Sequence, residues 1–234
     1  MKKFILAFIT LFIMTSVSLA DSNVYITQSG AALDLDITID GNANAVGASN
    51  YRTLLTGANL DVDIDLIGAT NTITGDFIGT GESGSDDLKI NQTGSTNTTA
   101  LNVGSSASTD DVSIIENRVG SSGVTSYIIG STATVQDVSV TVDVVGDDID
   151  IALTENSSSS GSDKTTDIDI ATDSDDVDII VTHTGAGAHK TKLLCTGACG
   201  TSDFTFSQTG ANSTDVDLVV TNAAGSDVDI TITD

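Results

Sequence analysis

The chain has 234 residues, and its 33 aspartates and glutamates against 8 lysines and arginines give a net charge of −25 at pH 7. This acidity disfavours nucleic acids and anionic membranes as partners, because both bind basic surfaces. Proline is entirely absent from the sequence. Because proline cannot donate to a strand ladder, its absence fits a chain whose segments are strands paired on both sides.

Residues 1–20 have the pattern of a secretory signal peptide. Lys2 and Lys3 precede an apolar stretch over residues 4–14, and Ser18 and Ala20 lie where small residues mark a cleavage site. The apolar stretch is too short for a stable membrane span. We therefore expect a secreted protein, extracellular or on the cell surface, without stable membrane insertion, whose mature chain 21–234 is a single domain.

Apolar and polar residues alternate along the mature chain, which predicts strands rather than helices. Clusters of Gly, Asn, Ser and Thr separate the alternating segments, as turns require. Clear strands are predicted at 33–39, 60–66, 88–92, 112–116, 138–144, 149–153, 168–170, 177–181, 204–208, 216–220 and 228–232, with weaker strands at 101–103 and 124–128.

The predicted strands recur at a regular interval. Asp34, Asp61, Asp87, Asp111 and Asp137 begin strands 24 to 27 residues apart, with a weaker strand between each pair. A repeat of that length with two strands is typical of one rung of a solenoid. The sequence therefore predicts an all-β fold: a β-solenoid of stacked strand–turn–strand rungs with two facing sheets and roughly eight to nine rungs. The serine-rich segment 157–162 is predicted to be a loop of one rung.

A short motif occurs three times, with two apolar residues and a glutamine at alternate positions. Alternate residues point to the same side of a strand, so a strand that buries the apolar pair also buries the glutamine. Identical amides on stacked strands can hydrogen-bond to one another, which offsets the cost of their burial. The motif predicts an amide ladder that contains Gln28, Gln92 and Gln208, and the core residues Val24, Ile26, Leu88, Ile90, Phe204 and Phe206. Weaker copies over 177–185 and 112–116 place His183 and Glu116 where the glutamine would be.

In this motif the chain resembles the curlin repeat family, whose repeat runs approximately Ser-x-Leu-x-Ile-x-Gln-x-Gly-x-x-Asn. The downstream asparagine of that repeat matches Asn97, which therefore joins the expected ladder. The resemblance implies a secreted bacterial subunit of amyloid-like surface fibres, with roles in adhesion and biofilm. It also implies other copies of the chain, a nucleating protein and an outer-membrane export system as partners.

The opposite side of many predicted strands carries aspartate. Asp61, Asp63 and Asp65 share one face of a strand, and Asp215 and Asp217 share one face of another. Like charges that face each other destabilise a sheet, so screening by salt or bound divalent cations would stabilise this one. Two interpretations remain open: a solvated face that keeps the protein soluble, or a face that binds calcium weakly. No other cofactor is expected.

Cys195 and Cys199 predict a disulfide across a tight turn, because a secreted protein matures in an oxidising compartment. Free thiols, or a metal site that includes His183 or His189, are the alternatives. His189 lies in a Gly- and Ala-rich turn and is expected to be exposed. We do not expect an enzyme, because acid–base catalysis needs two carboxyl groups in different environments and the repeated aspartates are alike.

Two functions therefore come from the sequence. The first is a curlin-like structural protein that assembles head to tail through edge strands into an extracellular fibre. The second is a monomeric acidic β-solenoid that binds calcium, a polysaccharide or a surface. The first follows from the repeats and the second from the charge.

Overall fold

The computed structural model describes residues 22–29, 33–47, 52–57, 59–79, 86–104, 111–130, 137–156, 163–171, 176–196, 199–210, 213–221 and 225–233. These residues form the strands β1 to β19 and no helix. The predicted signal peptide and the predicted loop 157–162 lie outside the described residues.

The strands belong to two sheets, here called sheet A and sheet B. Sheet A consists of β1 (Ser22–Val24), β2 (Thr27–Ser29), β4 (Ala43–Val46), β5 (Thr53–Gly57), β7 (Thr70–Gly79), β9 (Thr96–Val103), β11 (Ser122–Ile129), β13 (Asp148–Asn156), β15 (Asp176–Thr184), β17 (Thr201–Thr209) and β19 (Asp227–Thr233). Sheet B consists of β3 (Asp34–Asp40), β6 (Asp61–Ile67), β8 (Asp86–Thr93), β10 (Val112–Val119), β12 (Val138–Val145), β14 (Lys164–Ala171), β16 (Ala188–Thr196) and β18 (Ser213–Val220).

The chain alternates between the two sheets and coils in one direction. Each strand of sheet B is followed by a strand of sheet A, and all the strand pairs are parallel. Asp86 pairs with Val112, which pairs with Val138, so residues 26 positions apart lie side by side. Side chains at one register position therefore form a column along the coil. This is the predicted all-β solenoid with two facing sheets.

The regular part of the solenoid is shorter than predicted. Six rungs, from β6–β7 to β16–β17, have both strands paired on both sides. The prediction of eight to nine rungs also counted the two ends. At one end, sheet A is divided into the short strands β1, β2, β4 and β5, and at the other end β18 and β19 each have one strand neighbour in the described chain.

The core lies between the two sheets, because alternate residues of every long strand point inward. Each strand from β8 to β17 alternates between buried and more exposed residues along its length. The predicted core residues Leu88, Ile90, Phe204 and Phe206 are buried, whereas Val24 and Ile26 are partly buried and pack against the core. Burial of such side chains is the main term that stabilises the coil.

Glycines stack where the chain crosses from sheet B to sheet A. We call this connection the arch; it contains Gly68, Gly94, Gly120 and Gly146 in four successive rungs. A Cβ atom on Gly94 would lie 2.0 Å from the carbonyl oxygen of Gly68, and one on Gly120 would lie 2.1 Å from that of Gly94. Only a residue without a side chain allows the arches to stack this closely.

Candidate assembly surfaces and buried polar clusters

An asparagine ladder lies directly inside the arches. Asn44 Nδ2 donates to Asn71 Oδ1 at 3.0 Å, and Asn71 Nδ2 donates to Asn97 Oδ1 at 2.9 Å. Each of the three Nδ2 atoms also donates to a backbone carbonyl oxygen of a sheet B strand. Asn97 is therefore part of an amide ladder, as predicted, but its partners are asparagines of the neighbouring rungs.

The three predicted glutamines do not stack on one another. Gln92 lies on sheet B, between Leu66 and Arg118, whereas Gln28 and Gln208 lie on sheet A. Gln28 pairs with Leu55 at the first end of the coil, and Gln208 lies beside His183 near the other end. The prediction that the glutamines form one ladder is therefore wrong, because copies of the motif lie on different sheets.

The residues that stack on Gln208 in sheet A are not glutamines. Glu155, His183 and Gln208 occupy one register position on β13, β15 and β17. His183 thus lies in register with Gln208, at the glutamine position of the motif, but no second glutamine stacks on it. Glu116 is different: it pairs with Ile90, not with Gln92, so the weak motif copy over 112–116 is offset by two residues.

Glu116 forms the centre of a first buried polar cluster, the Glu116 cluster. Its carboxyl oxygens accept hydrogen bonds from Thr99 at 2.8 Å, from Thr125 at 3.0 Å and from Tyr127 at 2.8 Å. Arg118 Nη1 donates to Thr125 Oγ1 at 2.7 Å. Burial is the main cause that raises the pKa of Tyr127, and the nearby carboxyl group of Glu116 raises it further. The phenol therefore stays protonated and donates its hydrogen bond to Glu116. Hydroxyl groups thus solvate a carboxyl group inside the core.

Arg118 fits into the core because its neighbour on sheet A is a glycine. Gly123 follows Asn97 in the column of the asparagine ladder. A Cβ atom on Gly123 would lie 2.6 Å from Cζ of Arg118. The guanidinium group therefore occupies the space where the next asparagine side chain would lie, and the ladder ends there.

A second buried polar cluster, the Glu155 cluster, is formed by residues of β13 to β16. Glu155 Oε2 is 3.2 Å from His183 Nε2, and both side chains are fully buried. Thr166 Oγ1 donates to Glu155 Oε1 at 3.2 Å, and Lys164 Nζ lies 3.5 Å from His189 Nε2. The prediction that His189 is exposed is wrong, because its side chain points into the core from β16.

Burial sets the protonation of the Glu155 cluster. Desolvation raises the pKa of Glu155 to about 8 and lowers that of His183 to about 3, where the nearby His189 and Lys164 act in the same direction. Both shifts favour the uncharged forms at neutral pH. The contact between Glu155 and His183 therefore joins two uncharged groups and is not an ion pair, and His183 Nε2 also lies 3.1 Å from Thr166 Oγ1.

Cys195 and Cys199 are joined in a disulfide. Both cysteines are buried, and their Cα atoms are 6.4 Å apart at the crossing from β16 to β17. The predicted disulfide is thus present, so these two cysteines are not the free thiols of the alternative interpretation.

The outer faces of both sheets carry columns of carboxylates. On sheet B, Asp34, Asp61 and Asp87 share one column. Desolvation, followed by repulsion from the neighbouring aspartates, raises the pKa of Asp61. The predicted face residues Asp61, Asp63 and Asp65 lie together on β6, and Asp215 and Asp217 lie far from them on β18. No three His, Cys, Asp or Glu side chains in the described part of the chain converge to hold a metal ion.

The last rung exposes side chains that continue the core. Val228, Ile230 and Ile232 of β19 lie in the columns of Phe204, Phe206 and Gln208, yet they are 41%, 47% and 50% exposed. Strand β19 pairs with β17, and β18 pairs with β16; neither has a second strand neighbour among the described residues. The same holds for β3 at the other end, which pairs with β6. The structure thus presents a strand edge at each end.

The chain shows no significant match to a known protein family, to a curated protein or to a solved structure. Over the residues described, no helix has the length and hydropathy needed to cross a membrane.

The spacing of asparagines in the sequence is a signal for the asparagine ladder that the glutamine motif does not contain. Asn44 and Asn71 each follow a glycine by three residues, as Asn97 does, and the three asparagines are 27 and 26 residues apart. That spacing equals one rung. The alternation of apolar residues does not reveal this spacing, because the asparagines lie next to the arch and not at the strand centres.

Proposed function

We propose that the protein is a secreted structural protein, a subunit of a curlin-like, amyloid-type extracellular fibre with a role in adhesion or in a biofilm matrix. Copies join head to tail through their edge strands. The observation that carries this proposal is the exposure of Val228, Ile230 and Ile232, which extend the core columns to the very edge of sheet A.

The physical reason is that an open strand edge pairs readily with another chain. Unpaired N–H and C=O groups at an edge are a template for a further strand. The two ends of this coil are different surfaces, so a contact between them is heterologous and repeats indefinitely when the rotation does not close a ring. Both features favour a filament made of stacked solenoids.

The curlin resemblance supports the same proposal and adds partners to it. Curlin-type subunits imply an outer-membrane export system and a nucleating protein, and we extend both to this chain as part of the proposal. The signal-like segment 1–20 fits that route, since export begins with passage across the inner membrane.

The test is growth of seeded filaments from purified residues 21–234. Ile230→Lys places a charge in an inner column of the last strand and should reduce elongation at least tenfold, because the charge would be buried at the junction. Thr231→Lys is the matched control: it adds the same charge to the same strand on the outer face, and its elongation should stay within about twofold of the wild type. Equal elongation by all three proteins would refute edge-strand growth.

A second function is favoured by the outer face of sheet A. Asp150, Asp178, Asp203 and Asp227 form one column of four successive carboxylates. Desolvation, followed by repulsion from Asp178, raises the pKa of Asp150. Such a face suits a monomeric acidic solenoid that binds calcium, a polysaccharide or a surface. A protein that stays monomeric with seeds, and whose melting temperature rises with millimolar calcium, would support this function over the fibre.

A further inference from the structure

We infer that the fibre grows by strand exchange, in which β19 of one copy takes the place of β1 and β2 of the next copy. This junction rests on the proposed fibre. In the described chain sheet A has nine strand layers, from β1–β2 to β19, and sheet B has eight, from β3 to β18. When β18 pairs with β3 of the next copy, β19 therefore falls in the same layer of sheet A as β1 and β2 of that copy. Only one of these segments can fill that layer.

The two competing segments have similar sequences and lie in the same columns. Residues 22–29 read Ser-Asn-Val-Tyr-Ile-Thr-Gln-Ser, and residues 226–233 read Ser-Asp-Val-Asp-Ile-Thr-Ile-Thr. The Ser, Val, Ile and Thr at the first, third, fifth and sixth positions are identical in the two segments. The inner column that begins at Val24 ends at Val228. Strand β19 can therefore pair with β4 and β5 of the next copy in the register that β1 and β2 use.

Gln28 indicates which segment is favoured in the shared layer. Its Oε1 atom is buried and has no hydrogen-bond partner in the described chain, and its neighbour on β5 is the buried Leu55. A buried oxygen without a partner is unfavourable. The column of Gln28 ends at Ile232, an apolar side chain that is half-exposed in the single copy. Exchange thus places an apolar side chain against Leu55 and removes the unpaired oxygen from the core.

Exchange also lets both sheets continue through the junction. If β19 instead stacked on an intact β1 and β2, then β18 and β3 of the next copy would be two layers apart, about 9.6 Å, without a strand of the described chain between them. With exchange these two strands pair directly. The inner columns of sheet B that begin at Leu35 and Ile39 end at Val216 and Val220, so each of these junction contacts joins two apolar side chains. Because β19 replaces the pairs that β1 and β2 lose, the contacts in sheet B are a net gain.

Disulfide cross-linking separates exchange from simple stacking. Thr231 lies in the outer column of Thr27 and Leu54, so exchange places it beside Leu54 of the next copy, about 4.8 Å away. Leu54→Cys with Thr231→Cys in one chain should therefore give covalent multimers in oxidised filaments, because within a chain these residues lie near opposite ends of sheet A. Thr27→Cys with Thr231→Cys is the matched control, since these residues are held side by side only if β19 stacks on an intact β2. Multimers from the control and not from the first variant would overturn the exchange while the fibre stands.

A reversible lock on β1 gives an independent readout. Asn23 and Ala45 are an outer pair of β1 and β4, so Asn23→Cys with Ala45→Cys should form a disulfide within one chain that holds β1 in place. From seeds, the oxidised variant should elongate at least about tenfold more slowly than the reduced variant. Ser126→Cys with Ala152→Cys locks an outer pair of β11 and β13 and controls for reduction of the native disulfide; its elongation should stay within about twofold on reduction. Unchanged elongation of the locked β1 variant would overturn the exchange, whereas monomers of the wild type and of every variant would refute the proposed fibre.

Discussion

Asn71 is the central residue of the asparagine ladder, and it shows how much a single buried amide contributes. It accepts a hydrogen bond from Asn44 and donates to Asn97 and to the carbonyl oxygen of Thr93. Its side chain is fully buried. Every hydrogen-bonding group of this amide is thus paired inside the core, which is the condition for a buried amide to be tolerated.

Asn71→Ala should therefore destabilise the protein by about 1–3 kcal/mol for each partner group left unpaired. Asn117→Ala is the control, because Asn117 donates to Asn91 at 2.8 Å on the half-exposed outer face, where water can replace the lost bond. Urea unfolding curves would give both free energies. A loss for Asn117→Ala as large as that for Asn71→Ala would contradict the role of the ladder.

The Glu155 cluster makes stability depend on pH in two opposite ways. The pKa of Glu155 is raised in the folded protein, so its contribution to stability is fully present below the ordinary pKa of 4.5 and is lost as the pH rises towards about 8. The pKa of His183 is lowered, so its contribution is present above the ordinary pKa of 6.5 and is lost as the pH falls towards about 3. Between about pH 3 and pH 8 both side chains are uncharged in the folded protein.

Glu155→Gln should remove the alkaline limb of this profile. The amide can still hydrogen-bond to Thr166 and does not ionise, so melting temperatures of the variant should fall less than those of the wild type between pH 5 and pH 8. The control is Asp148→Asn, on the outer face of the same strand. If wild type and E155Q lose stability in parallel across that range, the carboxyl group is not the titrating group.

At the scale of the element, the arch is the most restrictive part of a rung. Gly94→Ala would bring a Cβ atom to 2.0 Å from the carbonyl oxygen of Gly68. Because that oxygen belongs to the backbone of the neighbouring arch, relieving the clash would require two rungs to move apart. We expect a loss of about 1–3 kcal/mol or more. Ser95→Ala, an exposed residue of the same arch, should be nearly neutral. A melting curve for G94A that matches the wild type would show that the arches tolerate side chains.

The strands themselves could be predicted from the sequence, because their pattern is local. Alternation of apolar and polar residues identified β6, β12 and β17 correctly, and the repeat of strand starts gave the solenoid. Which sheet each strand joins could not be predicted from one motif. The copy at Gln92 lies on sheet B and the copy at Gln208 lies on sheet A. The motif specifies only which residues of a strand point into the core, and strands of both sheets meet that requirement in the same way.

The buried polar residues could be predicted only in part, for a related reason. His183 was identified as a stacked polar residue from its place in the motif. His189 was not, because glycines nearby suggested an exposed turn, whereas the strand β16 begins at Ala188 and carries His189 into the core. The Glu116 cluster joins residues of three strands, and such contacts follow from the register and not from any one segment.

At the scale of the whole molecule, the coil is stabilised along its axis, and the end strands of its described part each have a neighbour on one side only. Each inner rung has strand neighbours above and below, so stability accumulates from neighbouring interfaces, as in other solenoids. The end rungs lack one of these interfaces in the described chain, and the exposed side chains of β19 mark the difference. In the proposed fibre, a second copy would supply the missing neighbour.

The axial rise per subunit in filaments, measured by electron cryomicroscopy, tests this account most directly. In the described chain sheet B has eight strand layers and sheet A has nine, so at about 4.8 Å per layer a head-to-tail filament should rise about 38–43 Å per subunit, with strands perpendicular to the axis. A rise of about 4.8 Å per subunit would mean that whole chains stack as flat layers, and that result would contradict a filament of intact solenoids.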